Sequence, residues 1–151
     1  SDRDTKLVKY LAKHKHISPF GHAFASFHIK APIFVARQLV KHKFLRWNEI
    51  SRRYVSNDPE FYTPTLRSSS VDKKQYKYLL NTGVCEEQAR AILPLSHMTE
   101  WYWSGSLDAF ADMCRLRCKN DTQYETRIVA DQINTILQPL FPVAWEALLN
   151  E

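Results

Sequence analysis

The side chains best equipped for chemistry crowd into residues 37–54, RQLVKHKFLRWNEISRRY, which follow an apolar, helix-competent run over 31–40. Gln38, Lys41 and His42 stand at i, i+3 and i+4, a spacing that puts all three on one face of a helix. Lys43, Asn48, Glu49, Ser51, Arg52 and Arg53 follow, with one acid among many bases. Fixed cations with a few neutral hydrogen-bonding groups suit a phosphorylated, planar, anionic ligand. Plainer readings stand beside this one. Lys41 to Lys43 could be a solvated helix end favoured by the helix dipole. Gln38 could make a purely structural hydrogen bond, because a buried amide must find partners. Ser51 reads as a hydroxyl donor to phosphate rather than a nucleophile, since no general base is fixed near it.

Those side chains need elements to hold them. Residues 4–14 carry Leu7, Val8 and Leu11 at helical spacing. Residues 18–21 read as a turn, and 23–29 alternate as a strand does. Pro32 suits the first turn of a helix reaching about Lys43. Residues 44–60 read as irregular with a turn at 57–59, and 65–72 as a polar loop. Helices are expected over 74–80 and 86–91, separated by Gly83 and stopped by Pro94. A strand over 98–103 is broken by Gly105, and Ser106 can cap a helix over 106–117. A longer helix spans 123–137, closed off by Pro139, and a short one spans 143–149. The tryptophans read as core, with Trp47 a candidate for stacking on a ligand ring. The pattern predicts one α+β domain over residues 1–151, with a mixed or antiparallel sheet flanked by helices.

Composition narrows the function classes. A chain of 151 residues with 44% hydrophobic and 13% aromatic content can bury a real core. No apolar run approaches the roughly 20 residues that span a bilayer. The first ten residues are mostly charged or polar and do not read as a signal peptide. Cys85, Cys114 and Cys118 form no CxxC pair and read as reduced thiols, which implies a cytoplasmic setting. Cys114 and Cys118 are too few to make a zinc site, and His14, His16 and His22 lack companions at metal-binding spacing. No metal is expected. The net charge of +5 favours anionic partners without separating a nucleotide from a nucleic acid.

The motifs themselves are more specific. Lys41-His42-Lys43, seven residues, then Ser51 resembles the Arg-His-Arg, seven residues, Ser signature of flavin-dependent thymidylate synthases (ThyX). The resemblance extends to His16-Ile17-Ser18-Pro19-Phe20 with His22, to HIKAPIFVARQ over 28–38, and to Glu60-Phe61-Tyr62-x-Pro64. It continues through Ala89-Arg90-x-x-Leu93-Pro94 and Leu116-Arg117, in the family's order. It implies a ThyX-like fold, FAD as cofactor, NADPH as reductant and 5,10-methylenetetrahydrofolate as one-carbon donor for converting dUMP to dTMP. It also implies a homotetramer whose active sites are shared between subunits, with no nucleic-acid partner expected.

By that resemblance dUMP would be held by Gln38, Lys41, Glu49, Ser51, Arg52, Arg53, Arg90 and Arg117. FAD would be held by Ser18, Lys41, His42, Lys43, Asn48, Glu49, Ser106 and Asp112. Arg117 would be the catalytic residue, because a guanidinium at the pyrimidine edge stabilises the anion left when N3 loses its proton. The sequence departs from the family at several points. Lysines at 41 and 43 keep charge but lose the planar fork, Arg52 stands where the family has glycine, and Asp108 stands where it has a cation. Family members usually carry a longer excursion near residues 70–73, so SVDKK is either a short natural loop or a join. Two alternatives remain: a relative that binds nucleotide or flavin without turnover, and a basic module that stacks and neutralises nucleic acid.

Overall fold

This computed structural model describes residues 1–63 and 73–150; the loop expected over 65–72 lies outside them. In chain order the helices are α1 (Asp2–Lys13), α2 (Ile33–Leu39), α3 (Lys73–Asn81), α4 (Glu86–Ala89), α5 (Leu107–Arg117), α6 (Tyr124–Leu140) and α7 (Pro142–Leu149). The strands are β1 (Phe24–Pro32), β2 (Leu45–Glu49) and β3 (Met98–Ser106). Single 3-10 turns cover Ser18–His22 and Arg90–Ile92. The fold is α+β, and its sheet is wholly antiparallel in the order β1–β3–β2.

The central strand sets the register. Along β3 the side chains of Thr99, Trp101 and Trp103 alternate inward, as a pleated strand requires. β1 pairs Ile29 with Trp101, and β2 pairs Trp47 with Trp103. Helix α5 lies on this face and buries Phe110, Ala111, Met113 and Cys114 completely or nearly so. Phe110 meets Trp103 edge-on at 5.5 Å and Phe27 at 5.1 Å, the geometry that aromatic quadrupoles favour. α6 adds Val129, Ala130, Ile133 and Leu137, one stripe at helical spacing. α7 adds Trp145, whose Nε1 donates to Asn134 Oδ1 at 2.7 Å.

Several sequence expectations are corrected. Pro32 ends β1 and caps α2 from outside, so β1 is longer than the 23–29 run. α2 stops at Leu39, short of Lys43, so Lys41 and His42 do not share a helix face with Gln38. The backbone must instead reverse into β2, and Phe44 does so at φ 63, an uncommon conformation for a bulky residue. β2 occupies the stretch read as irregular; Leu45-Arg46-Trp47-Asn48 alternates, but over too few residues to stand out, and pairing with β3 supplies what propensity lacks. Gly105 does not break β3. A Cβ there would lie 2.5 Å from Leu45 Cδ2 and 3.0 Å from the Phe44 carbonyl oxygen, so glycine lets β2 approach. Pro139 lies within the last turn of α6, which runs one residue further to Leu140. Trp47 stacks on Trp101 at 4.4 Å and belongs to the core, not to a ligand.

Candidate active site

The expected site residues fall into two groups. The first forms where α2, α5 and α6 meet. A helix leaves its last four carbonyls without intrahelical partners. At the end of α2 the Gln38 carbonyl accepts from Arg117 Nη2 at 3.0 Å, and Arg117 Nε donates to His42 Nε2 at 3.0 Å. Arg117 therefore closes α5 in sequence but caps α2 in space. His42 must be neutral to accept; burial, then the Arg117 charge, holds its pKa below the usual histidine value. Of the five N–H groups of Arg117, three remain for a ligand.

The Gln38 side chain is held separately. Its Oε1 accepts from Thr126 Oγ1 at 2.9 Å and its Nε2 donates to Gln123 Oε1 at 2.6 Å. Thr126 is 0% exposed. A buried hydroxyl with a defined partner holds the amide in place. One N–H and one acceptor lone pair of Gln38 remain unused, a pattern able to pair with a pyrimidine edge. The sequence reading missed Thr126; its signal was a polar residue in register with the apolar stripe of α6.

The second group lines an open pocket of about 670 Å³ between β2, α2 and the segment 87–99. Arg37, Glu49, Ser51, Arg52, Arg90, His97 and Thr99 stand in its wall. Glu49 is fixed by Thr99 Oγ1 at 2.8 Å and Trp47 Nε1 at 3.0 Å. Arg52 donates to the Asn57 carbonyl, and Arg90 Nε to the Glu87 carbonyl at 3.1 Å. Ser51 Oγ accepts from the Arg53 backbone N–H at 3.3 Å. Arg53 itself stands outside the wall, paired with Glu87 at 3.3 Å. The volume and the surplus of guanidinium groups suit a phosphorylated small molecule. Gln38, His42 and Arg117 do not line this pocket, because Arg37 and Gln38 are successive residues on different faces of α2.

The expected flavin residues are more scattered. Lys41 and Lys43 are exposed and enter no ion pair among the described residues. The turn bearing Ser18 packs on α5 and β3, which carry Asp112 and Ser106. Ser106 occupies the N-cap position of α5 without a side-chain capping bond. Asp112 is paired with Arg115. Asn48 lies on exposed β2 beside a smaller pocket with His28, Glu100 and Tyr102. Asp108 Oδ1 is buried with no hydrogen-bond partner among the described residues. The described residues include no cluster of metal-ligating side chains and no helix long and apolar enough to cross a membrane.

Comparison with known proteins places the chain in a family. The family profile described as thymidylate synthase complementing protein matches residues 1–143. The chain is 36% identical over 178 aligned residues to a flavin-dependent thymidylate synthase of Kosmotoga olearia, covering 99% of this chain and 77% of the relative. It is 35% identical over 167 to that of Thermotoga neapolitana, with the same coverage of 99% and 77%. The crystal structure of a UMP/dUMP methylase, PolB from Streptomyces cacaoi bound with 5-Br UMP, superposes with a TM-score of 0.88 at 28% identity. That match covers 97% of this chain and 82% of the other. The chain belongs to the family of flavin-dependent thymidylate synthases.

Proposed function

We propose that this chain converts dUMP to dTMP by reductive methylation. Methylenetetrahydrofolate supplies a CH₂ group to uracil C5, C5 loses its proton, and a hydride originating from NADPH completes the methyl group. The observation that carries the reading is Arg117, braced by His42 and the Gln38 carbonyl with its outer N–H groups unspent. A fixed cation at the pyrimidine edge stabilises negative charge at N3 and through the ring as C5 becomes nucleophilic. Gln38, oriented by Thr126, pairs with the same edge. Ser51, Arg52, Arg90 and the nearby Arg53 take the nucleotide phosphate, with Glu49 as an acceptor in the wall.

FAD fits part of its expected site. Exposed Lys41 and Lys43 suit an anionic dinucleotide, with His42, Asn48, Glu49, Ser18 and Ser106 as neutral or accepting contacts. Held by these residues, a flavin would supply hydride-transfer chemistry. Asp108 does not fit a phosphate, and its buried Oδ1 is closed off from a ligand in this structure. Asp112 is neutralised by Arg115 rather than aimed at a ligand. Because the Arg117 group and the phosphate pocket lie on different faces of α2, the complete site needs a second copy of the chain, in keeping with a homotetramer. A cytoplasmic setting, with dissolved nucleotide and folate, belongs to the same reading.

The test is turnover: purified protein saturated with FAD and given NADPH, methylenetetrahydrofolate and dUMP should form dTMP. FAD-saturated protein that binds dUMP yet makes no dTMP would overturn the reading.

A further inference from the structure

Among the pocket-lining side chains, His97 belongs to none of the motifs that the sequence reading singled out. Its backbone is tied on both sides: its N–H donates to the Pro94 carbonyl at 3.0 Å, its own carbonyl accepts from Ile33 at 3.0 Å, and it bridges to Phe61. Its Nδ1 lies 2.7 Å from the Pro94 carbonyl oxygen, which can only accept. Nδ1 therefore carries the proton, and neutral His97 has a bare lone pair at Nε2. No side-chain partner for Nε2 stands among the described residues.

The charges around the ring are unbalanced. Arg37 on α2, Arg52 after β2 and Arg90 beyond α4 line the same pocket. Its two carboxylates are already engaged, Glu49 by Thr99 and Trp47 and Glu87 by Arg53. His97 and Arg52 also line the neighbouring pocket, where Glu60 pairs with Lys30, Asp58 with Lys77 and Glu100 with His28. Every carboxylate facing the imidazole has another partner, while Arg52 and Arg90 bond only neutral backbone carbonyls and keep their charge uncompensated.

We propose that His97 is a further phosphate-binding residue of this pocket and that it takes up a proton when a phosphomonoester dianion binds. A neutral ring would turn the Nε2 lone pair toward phosphate oxygens. Only the imidazolium can donate to Pro94 and the phosphate together. Without ligand, burial, aided by the Arg52 and Arg37 charges, holds the His97 pKa below the usual histidine value against the Pro94 contact and the Glu49 charge. A dianion reverses that field. The inference rests on the pocket being the nucleotide phosphate site, and it adds a residue and a pH dependence to that site.

Calorimetric titration of FAD-loaded protein with dUMP, near pH 6.5 to 7 in two buffers of different ionisation enthalpy, reads the proton directly. The expected result is net uptake of a substantial fraction of one proton per dUMP, and none with deoxyuridine, which lacks the phosphate. The phosphate's own ionisation, with a pKa near 6, contributes release rather than uptake, so the sign separates the sources. His97→Gln should abolish the uptake and weaken dUMP about fivefold near pH 6.5, with little change near pH 9, where His97 is neutral in both states. Binding of dUMP without uptake, or equal uptake by His97→Gln, overturns the role of His97 while leaving the nucleotide pocket standing. Failure of the wild-type protein to bind dUMP overturns both.

Discussion

Replacing Arg117 by alanine separates catalysis from architecture, because the two roles have different sizes. Structurally the guanidinium makes two hydrogen bonds, to His42 Nε2 and to the Gln38 carbonyl, both at 3.0 Å. A hydrogen bond to a charged group contributes about 1.5–3 kcal/mol. Both acceptors are only part-buried and regain water in the variant, so the pair contributes less than two full bonds. About 2 kcal/mol should be lost, or roughly 4–8 °C in melting temperature for a chain of this length. Catalytically, removing one preorganised donor to developing charge costs about 10²–10³ in kcat. Arg117→Ala should therefore melt a few degrees lower, retain FAD and still bind dUMP, yet turn over at least a hundredfold more slowly. Thermal melts, flavin absorbance after gel filtration and single-turnover formation of dTMP read the three quantities. Arg117→Lys keeps the charge but not the fork and should recover little of the rate. Parallel loss of flavin retention and turnover, or a kcat within a few fold of wild type, would refute the assignment.

Other perturbations probe other parts of the account. Thr126→Val removes the hydroxyl that orients Gln38 at nearly constant volume; kcat/KM for dUMP should fall about fivefold for one lost hydrogen bond of roughly 1 kcal/mol, with Thr126→Ser restoring it. Gly105→Ala pushes a methyl group against Leu45 and the Phe44 carbonyl and should cost about 1–3 kcal/mol of stability, seen in a denaturant melt. His42 and His97 both have lowered pKa values, mainly through burial. The unfolded chain then binds more protons below about pH 6.5, so their contribution is complete above that value and is lost as pH falls toward the folded-state values. Melting temperature should drop between about pH 6.5 and 5, before most carboxylates titrate; a flat or rising profile would contradict this. Light scattering should show an oligomer, because one chain leaves Arg117 and the phosphate pocket on separate faces of α2.

Much of this was legible in the sequence, for definite reasons. Period-two alternation located β1, an aromatic run located β3 and helical spacing located α1, while Ser106 marked the start of α5 and Pro139 the end of α6. The motif resemblance named Arg117, Gln38 and Glu49 before any contact was visible. β2 was not legible: five residues with three polar side chains become a strand only because β3 offers a partner. The early end of α2 was hidden too, because Val40, Lys41 and His42 are all acceptable in a helix and the turn depends on Phe44 adopting positive φ. Thr126 and His97 owe their surroundings to residues distant in sequence, Thr126 bonding Gln38 and His97 sharing a pocket wall with Arg37 and Arg52. Neither residue type nor spacing reveals such a juxtaposition.

The most direct test of the central claim is the product itself. FAD-saturated protein given dUMP, methylenetetrahydrofolate and NADPH should yield dTMP and tetrahydrofolate in equal amounts, with turnover abolished by omitting any one component. The same protein binding FAD and dUMP but forming no dTMP would contradict the account.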